Sequence, residues 1–305
     1  MKTQFCIKDL FAYSKMRKSQ SAMEYLMTYG WAILIIAIVL VALFSLGIFN
    51  SANFAPRAQP GSCEVLRNSA QTSLVGQCNG MLPEYVAQFD GISKINVSSI
   101  PELPSGNQPR TLTAWFFVSP SDNTNYNGIA GTSGAGTSTM LTIYLGGRKV
   151  CIDAWDSPNQ CGNGNNTVQV GSFEFVAAAY NSTNYNLVGY TGYGGSLYSF
   201  IAGNVILDFP QVSSTYPFLI GSRTSTPVLS GDIANVQLYN TTLTQSEIQA
   251  LYKEGIGGAP INVNNLVGWW PLNGNANDYS GNDNNGNSPA NVTYTSAWIS
   301  GYSTP

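Results

Sequence analysis

The stretch GDIANVQLYNTTLTQSEIQALYKEG, residues 231–255, carries the clearest secondary-structure signals in the chain. Its first part, GDIANVQLY, is a short run of apolar and polar residues that ends at a turn signal, as strands do. Thr244 and Glu247 then stand in capping-box spacing, Ile248 and Leu251 form an apolar stripe, and Gly255 follows as a stop. The stretch therefore predicts a strand, a turn and one short capped helix.

Upstream of this stretch, short runs of similar character recur between Gly- and Asn-rich turns. They are EYVAQFDG, RTLTAWFFV, TMLTIYLGG, SFEFVAAAY, NVILDF and YPFLIGS. Many short strands separated by such turns are typical of an antiparallel sandwich or jelly roll. The fold class that we predict is mainly β, with an N-terminal helix before the sandwich and one short helix near its C-terminal side.

Four blocks together resemble the laminin-G-like, concanavalin A-like jelly roll. They are FDG at 89–91, LTAWFFV at 112–118, LIGS at 219–222 and the opening stretch at 231–255. The segment LVGWWPLNGNANDYSGNDNNG, residues 266–286, resembles the part that ordinarily opens such a domain. We therefore expect one domain over residues 63–305 in which residues 266–299 supply the first strand, and a truncated second copy is the alternative.

The N-terminal region contains an uncharged apolar run from Tyr25 to Phe49. A helix of this length spans a hydrocarbon core of about 30 Å. Lys15, Arg17 and Lys18 precede the run, so the positive-inside rule predicts a single-pass protein with a cytoplasmic N-terminus and an extracellular C-terminal domain. The simpler interpretation of Glu24 is that its carboxylate lies at the level of the lipid headgroups, without a specific function.

The segment from Ser19 through QSAMEYL into the apolar run resembles the class III signal peptide of archaeal type IV pilin-like proteins. The resemblance implies cleavage by a prepilin peptidase between Ser19 and Gln20, a leader at 1–19 and a retained helix at 20–49. The small residues and prolines of NSANFAPRAQPGS separately predict a linker at 50–62. The resemblance further implies that Glu24, at mature position five, pairs with the N-terminal amine of a neighbouring subunit. A surface filament of pilin subunits is thus one expected assembly.

Cysteine positions agree with an exported domain. Cys6 would leave with the leader, and four cysteines remain outside, which allow three pairings. Short loops favour Cys63 with Cys78 and Cys151 with Cys161. A metal site is disfavoured because the chain has no histidine and no C-x-x-C motif.

Charge and motifs restrict the function. Removal of the leader leaves 8 of the 13 basic and 15 of the 16 acidic residues, a formal net charge of −7. An acidic chain without a basic patch is not typical of nucleic-acid binders. The glucanase relatives of this fold carry a Glu-x-Asp-x-x-Glu strand that this chain lacks. We therefore expect a non-enzyme, with a glycoside-active enzyme as the remote alternative.

Carbohydrate binding and adhesion at the cell surface are what the jelly-roll resemblance implies. Trp115 and Trp270 are expected in the core. Trp155 lies between Cys151 and Cys161 and is flanked by Asp153 and Asp156, so it is the candidate stacking platform. A tryptophan packed against the sandwich is the alternative, and YTGYGGSLYSF at 190–200 is a second candidate segment.

Other candidate sites are weaker. The resemblance allows Ca²⁺ at Asp278 and Asp283, although the family's paired aspartates are replaced here by Ala234 and Asn235, and a solvated turn is the alternative at Asp278. No other cofactor is expected. Glycosylation is feasible on Asn-x-Ser/Thr sequons in the extracellular part, at Asn96, Asn165, Asn181, Asn240 and Asn291.

Overall fold

A computed structural model describes residues 8–45, 54–122, 127–133, 141–154, 161–162, 167–223 and 228–305, and side chains of the first range only at 25 and 27–45. The chain divides into two compact units, Met1–Asn53 and Phe54–Pro305.

The first unit contains helix α1, Lys8–Ser45. Its portion Met27–Ser45 is long and apolar enough to cross a membrane, with a mean hydropathy of 2.5, and its side chains are not buried within the protein. The helix runs continuously through positions 19, 20 and 24, where the sequence predicts a cleavage site and a functional glutamate. The side chains of Ser19, Gln20 and Glu24 lie outside the described residues.

The second unit is a β-sandwich. Its strands are β1 (Arg57–Ala58), β2 (Cys63–Arg67), β3 (Thr72–Gly76), β4 (Leu82–Pro83), β5 (Val86–Asp90), β6 (Ile95–Val97), β7 (Arg110–Val118), β8 (Gly128–Thr132), β9 (Leu141–Gly146), β10 (Lys149–Asp153), β11 (Phe173–Asn181), β12 (Asn186–Tyr193), β13 (Ser196–Asn204), β14 (Phe218–Ile220), β15 (Ser230–Tyr239), β16 (Leu266–Trp270) and β17 (Thr293–Thr295). Helix α2 covers Gln245–Glu254, and a 3-10 helix covers Ala297–Gly301.

Two sheets face each other across the core. The larger has the order β13-β12-β11-β7-β15-β5-β17, with β16 also on β15, and the smaller has the order β10-β9-β8-β14-β6. Alternate residues of each strand point inward, as the period of two requires. Trp270 is fully buried between the sheets and stacks on Phe218, with ring centroids 5.0 Å apart. The mainly-β jelly roll expected from the sequence is confirmed.

The outer face of the larger sheet carries a second apolar layer of aromatic rings. Trp115 is buried there and contacts Phe175, Tyr252 of α2 and Tyr302 of the C-terminal segment, at centroid distances of 5.6, 5.9 and 5.6 Å. Helix α2 has the expected capping box between Thr244 and Glu247. Burial of both Trp115 and Trp270 is confirmed, but only Trp270 packs between the two sheets.

The C-terminal segment joins the larger sheet. Strand β16 pairs antiparallel with β15, and β17 pairs antiparallel with β5. Strand β1, within the linker expected at 50–62, pairs in parallel with β4. Residues 54–62 therefore belong to the second unit, because this pairing ties them to it.

Both expected disulfides are present. Cys63 bonds to Cys78 and so closes the β2–β3 hairpin, and Cys151 bonds to Cys161 beside strand β10. Because both loops are short, each bridge acts as a local staple and does not join distant parts of the sandwich.

Candidate functional site

A small cleft with an enclosed volume of about 40 Å³ opens on the outer side of the larger sheet. Its floor is formed by β15 and β16, and its walls by the stapled β2–β3 hairpin, strand β1 and the turn after α2. The lining residues are Ala58, Gln59, Gly61, Ser62, Cys63, Gln77, Met81, Pro83, Asn235, Ile256, Gly257, Trp269, Pro271 and Asn273.

Asn235 organises the floor of the cleft. Its Oδ1 accepts hydrogen bonds from Trp269 Nε1 at 2.8 Å and from Gln237 Nε2 at 3.0 Å, and its Nδ2 donates to the Gly258 carbonyl at 2.8 Å. The residue has φ 50° and lies where the β15–β7 register shifts. A β-bulge turns a side chain out of the regular alternation, and Asn tolerates a positive φ better than most residues.

The polar contacts continue along β15 beneath the cleft. Gln237 Oε1 accepts a hydrogen bond of 2.6 Å from the Tyr239 hydroxyl, and both side chains are buried. Desolvation by burial raises the pKa of Tyr239. The hydroxyl is therefore a neutral donor that holds the Gln237 amide in one orientation, which in turn orients Asn235.

The walls are fixed to the floor through Asn273. Its Oδ1 accepts from the Tyr85 amide at 2.8 Å, and its Nδ2 donates to the Ala58 carbonyl at 2.7 Å. The Cys63–Cys78 bridge holds the hairpin wall, since Cys63 itself lines the cleft. The cleft is thus built before any ligand arrives.

The chemistry of the lining is polar and uncharged. Among the described residues that border the cleft, none carries a formal charge, and amide side chains provide most of the polar atoms. Gln59 and Gln77 are exposed at the rim, while Trp269 is 3% exposed on the floor. The exposed amides of Gln59 and Gln77 can hydrogen-bond the hydroxyl groups of a sugar, while the buried Trp269 shapes the floor beneath them.

The predicted calcium ligand Asp278 is used inside the protein instead. Its Oδ1 accepts from the amides of Trp269 and Ser280, and its Oδ2 accepts from the Ser280 hydroxyl and the Asn284 amide, all at 2.8–2.9 Å. Burial raises the pKa of this carboxyl against the opposing effect of these donors. Asp283 is exposed on the same loop. A carboxylate with its oxygens already occupied by backbone donors does not fit a Ca²⁺ site.

The predicted sugar platform is only partly described. Asp153 is the last residue of β10 and is buried, and its carboxylate forms an ion pair with Arg223. The Arg223 guanidinium in turn lies over the Tyr144 ring, 4.7 Å from its centroid. Trp155 and Asp156 lie outside the described residues. Asp153 is therefore held in an internal ion pair and is not an exposed partner for a sugar.

The second candidate segment, residues 190–200, forms the β12–β13 hairpin. Tyr190 pairs with Ser199 and Thr191 with Tyr198 across its strands. Tyr190 is buried, and Tyr193 and Tyr198 are 42% exposed. By this register Tyr193 and Tyr198 share one face of the hairpin, and the buried Tyr190 lies on the other.

The sequons differ in accessibility. Asn291 is exposed, whereas Asn96 lies in β6 and its Oδ1 is buried. The Asn240 amide nitrogen donates to the Glu102 carbonyl at 3.4 Å, and Asn181 Oδ1 accepts from the Thr183 amide. Asn165 lies outside the described residues. Among the described sequons, Asn291 presents the most accessible side chain.

Two buried carboxyl groups with raised pKa values do not form a catalytic pair. Burial raises the pKa of Glu174 to about 7 and that of Asp232 to about 6. Glu174 pairs with Phe116 and Asp232 with Phe117, which are neighbours on β7. Adjacent residues on a strand point to opposite faces, so the two carboxyl groups lie on opposite sides of the sheet.

Comparison with protein families identifies residues 90–249 as a match to the concanavalin A-like lectin/glucanases superfamily, through its model Laminin_G_3. The chain belongs to this superfamily. No curated protein matches the chain. The cleft lies largely outside the segment that the superfamily model matches, because among its lining residues only Asn235 falls within it.

Solved structures that are similar to this superfamily member have low sequence identity to it. A putative carbohydrate binding protein from Bacteroides ovatus is 13% identical with a TM-score of 0.49, and the match covers 74% of this chain and 66% of that one. A heptameric SAP-like pentraxin from Limulus polyphemus is 14% identical with a TM-score of 0.44, covering 58% and 84%. The Ruminococcus gnavus IT-sialidase CBM40 is 12% identical with a TM-score of 0.41, covering 55% and 97%.

Proposed function

We propose that this protein is anchored in the cell membrane by helix α1 and that its extracellular jelly roll binds carbohydrate, without enzymatic activity. The observation that carries the proposal is the cleft, whose rim bears Gln59 and Gln77 and whose floor holds Trp269 in one orientation through Asn235. Two disulfides are consistent with an oxidising exterior.

The size and charge of the cleft define the ligand class. The enclosed volume of about 40 Å³ is far below the roughly 300–1,000 Å³ of small-molecule pockets, so the cleft suits contact with the end of a glycan at its rim and does not enclose a ligand. A described lining without formal charge favours neutral sugars. Trp155 and Asp156, which follow Asp153 in the sequence, are the competing sugar-binding site in the same domain.

The test is retention of the full-length, detergent-solubilised protein on a panel of neutral and acidic glycans. We expect retention on neutral glycans, and at least a tenfold loss in the double variant Gln59→Ala/Gln77→Ala. Gln71→Ala is the matched control, since Gln71 is exposed on the same hairpin but does not line the cleft. Absence of retention across the panel, or equal loss in the control, would reject the proposal.

A structural role in a type IV pilin-like filament is the second candidate function. It is favoured by the motif around Ser19, Gln20 and Glu24, immediately before an apolar helix whose described side chains are not buried within the protein. Intact mass and N-terminal sequencing of the protein from its native membrane test it. A chain that begins at Gln20 supports prepilin-peptidase processing and a search for filaments, whereas a chain that begins at Met1 rejects that processing.

A further inference from the structure

The chain contains five Asn-Gly pairs, the dipeptide in which asparagine loses its side-chain amide most readily. They begin at Asn79, Asn127, Asn163, Asn273 and Asn285. Because glycine has no side chain, its amide nitrogen can approach the side-chain carbonyl carbon of the preceding asparagine with little steric hindrance. The reaction requires that this nitrogen and the asparagine side chain are both free to move. The structure describes four of the pairs, and Asn163 lies outside the described residues.

Two of the pairs are buried and held by hydrogen bonds. Asn127 is 1% exposed, and its Nδ2 donates to the carboxylate of Asp122. Asn273 is 6% exposed, and its Oδ1 and Nδ2 form the hydrogen bonds that fix the walls of the cleft. Neither side chain can turn toward the next amide without breaking buried hydrogen bonds. The fold therefore protects both pairs from the reaction.

The third pair, Asn285-Gly286, is held although Asn285 is exposed. The Oδ1 of Asn285 accepts a hydrogen bond of 2.8 Å from the Asp278 amide. The Gly286 amide nitrogen donates to the Ala276 carbonyl at 2.9 Å. The attacking nitrogen and the side chain that it would attack are thus both engaged. Exposure to water therefore does not free this pair to react.

The pair Asn79-Gly80 differs from these three. Both residues are exposed, and among the described residues none forms a hydrogen bond with the Asn79 side chain or the Gly80 amide. The described backbone hydrogen bonds nearest to the pair are donated by Gln77 and Leu82, on either side of it. A Cβ atom placed on Gly80 would have no neighbour within 4 Å, so the backbone is open there. The pair is therefore free to rotate and accessible to water.

We propose that the fold selects Asn79 for spontaneous deamidation, which places a carboxylate beside the cleft. The Gly80 amide nitrogen attacks the side-chain carbonyl carbon of Asn79 and forms a new C–N bond. The bond from this carbon to Nδ2 breaks, and ammonia leaves with the proton of the Gly80 amide. Water then adds to one of the two carbonyl carbons of the resulting five-membered imide and opens the ring, to aspartate or to isoaspartate. The sequence of steps needs water and no oxidant, reductant or enzyme.

The new charge changes the surroundings of the cleft. Asn79 stands between Gln77 and Met81, which both line it. None of the lining residues that the structure describes carries a formal charge, so a carboxylate here would disfavour anionic ligands. This consequence for binding rests on the proposed function. The modification itself does not, because it is measured on the chain without any glycan.

Peptide mapping by mass spectrometry of the full-length, detergent-solubilised protein tests the proposal after incubation at mildly alkaline pH. Deamidation raises the mass of a peptide by about 1 Da. In the folded protein, Asn79 should be converted at least ten times faster than Asn285. Asn285 is the matched control, since both residues are exposed and both precede glycine. In guanidinium chloride with the disulfides reduced, the restraints on Asn285 are lost, and the two rates should agree within about threefold.

Asn79→Gln should abolish the fast conversion, because a glutamine side chain closes a larger ring that forms more slowly. Circular dichroism verifies that the variant is folded. A rate at Asn79 that does not exceed the rate at Asn285 in the folded protein would overturn the proposal. A tenfold difference that persists after unfolding would also overturn it, because the local sequence and not the fold would then select Asn79.

Discussion

The indole of Trp269 on β16 donates a 2.8 Å hydrogen bond to the side-chain oxygen of Asn235 on the neighbouring strand β15. Both residues are almost completely buried and both border the cleft. The bond therefore sets the orientation of the one tryptophan among the described lining residues.

Replacement of Asn235 by alanine should lower the free energy of unfolding by about 2–4 kcal/mol. The change leaves Trp269 Nε1 without its acceptor and the Gly258 carbonyl with only the 3.5 Å contact from Gln237 Nε2. It also places at φ 50° an alanine, which tolerates this angle less well than asparagine. Denaturant unfolding of Asn235→Gly, which removes the same bonds but accepts the backbone angle, separates the two causes. Wild-type stability in the glycine variant would refute the role of the hydrogen bonds.

Truncation of Trp270 should lower the free energy of unfolding, because the side chain lies between the two sheets. Trp270→Ala removes a fully buried ring that stacks on Phe218, so we expect a loss of about 3–5 kcal/mol. Trp270→Phe keeps most of the contact and should cost less. Guanidinium titrations monitored by circular dichroism measure both, and equal effects of the two substitutions would contradict this packing.

Stability should fall as the pH rises from about 4 to about 7. Burial raises the pKa of Glu174 to about 7, so the folded protein keeps this proton to a higher pH than the unfolded chain, whose glutamates titrate near 4.3. In this window the folded state binds more protons, and its stability decreases with pH. Asp232 contributes in the same direction, with a pKa of about 6.

Glu174→Gln should flatten this pH dependence and raise the melting temperature at pH 8, because the neutral amide needs no deprotonation in a buried site. Melting curves between pH 4 and 8 measure the effect. Glu64→Gln is the control, since Glu64 is exposed on β2. A Glu174→Gln protein with the wild-type slope would show that another group causes the dependence.

Removal of the two disulfides should have separable consequences. Replacing Cys63 and Cys78 by serine removes the bridge in the hairpin that lines the cleft. The change should lower the free energy of unfolding by about 3 kcal/mol and abolish retention on glycans. Replacing Cys151 and Cys161 should lower stability but preserve retention, because that bridge does not border the cleft. Melting temperature and retention are measured on both proteins, and loss of retention in the second would contradict a ligand site in the cleft.

Local signals in the sequence were sufficient to predict much of the fold. The capping box at Thr244 and Glu247, the short disulfide loops and the burial of Trp270 depend on residues close in sequence or on residue type, and these predictions are confirmed. The jelly roll followed from strand patterns and from resemblance to a family.

The cleft could not be predicted in the same way, because its lining comes from segments before, within and after the region that matches the superfamily. Asn235 was visible as a departure from the family's paired aspartates, but its contact with Trp269 depends on the pairing of β15 and β16. The burial of Asp153 depends on Arg223, far away in sequence. Asp278 looked like a calcium ligand because a sequence does not reveal that backbone amides already occupy its oxygens.

The most direct test of the central claim is ¹⁹F NMR of the full-length chain labelled with 5-fluorotryptophan, titrated with the glycan that the panel identifies. The chain has six tryptophans, so single Trp→Phe variants can assign each signal. Binding in the cleft predicts a saturable shift of the Trp269 signal, with the Trp155 signal unchanged. A shift of Trp155 with Trp269 unmoved would contradict the cleft as the carbohydrate site.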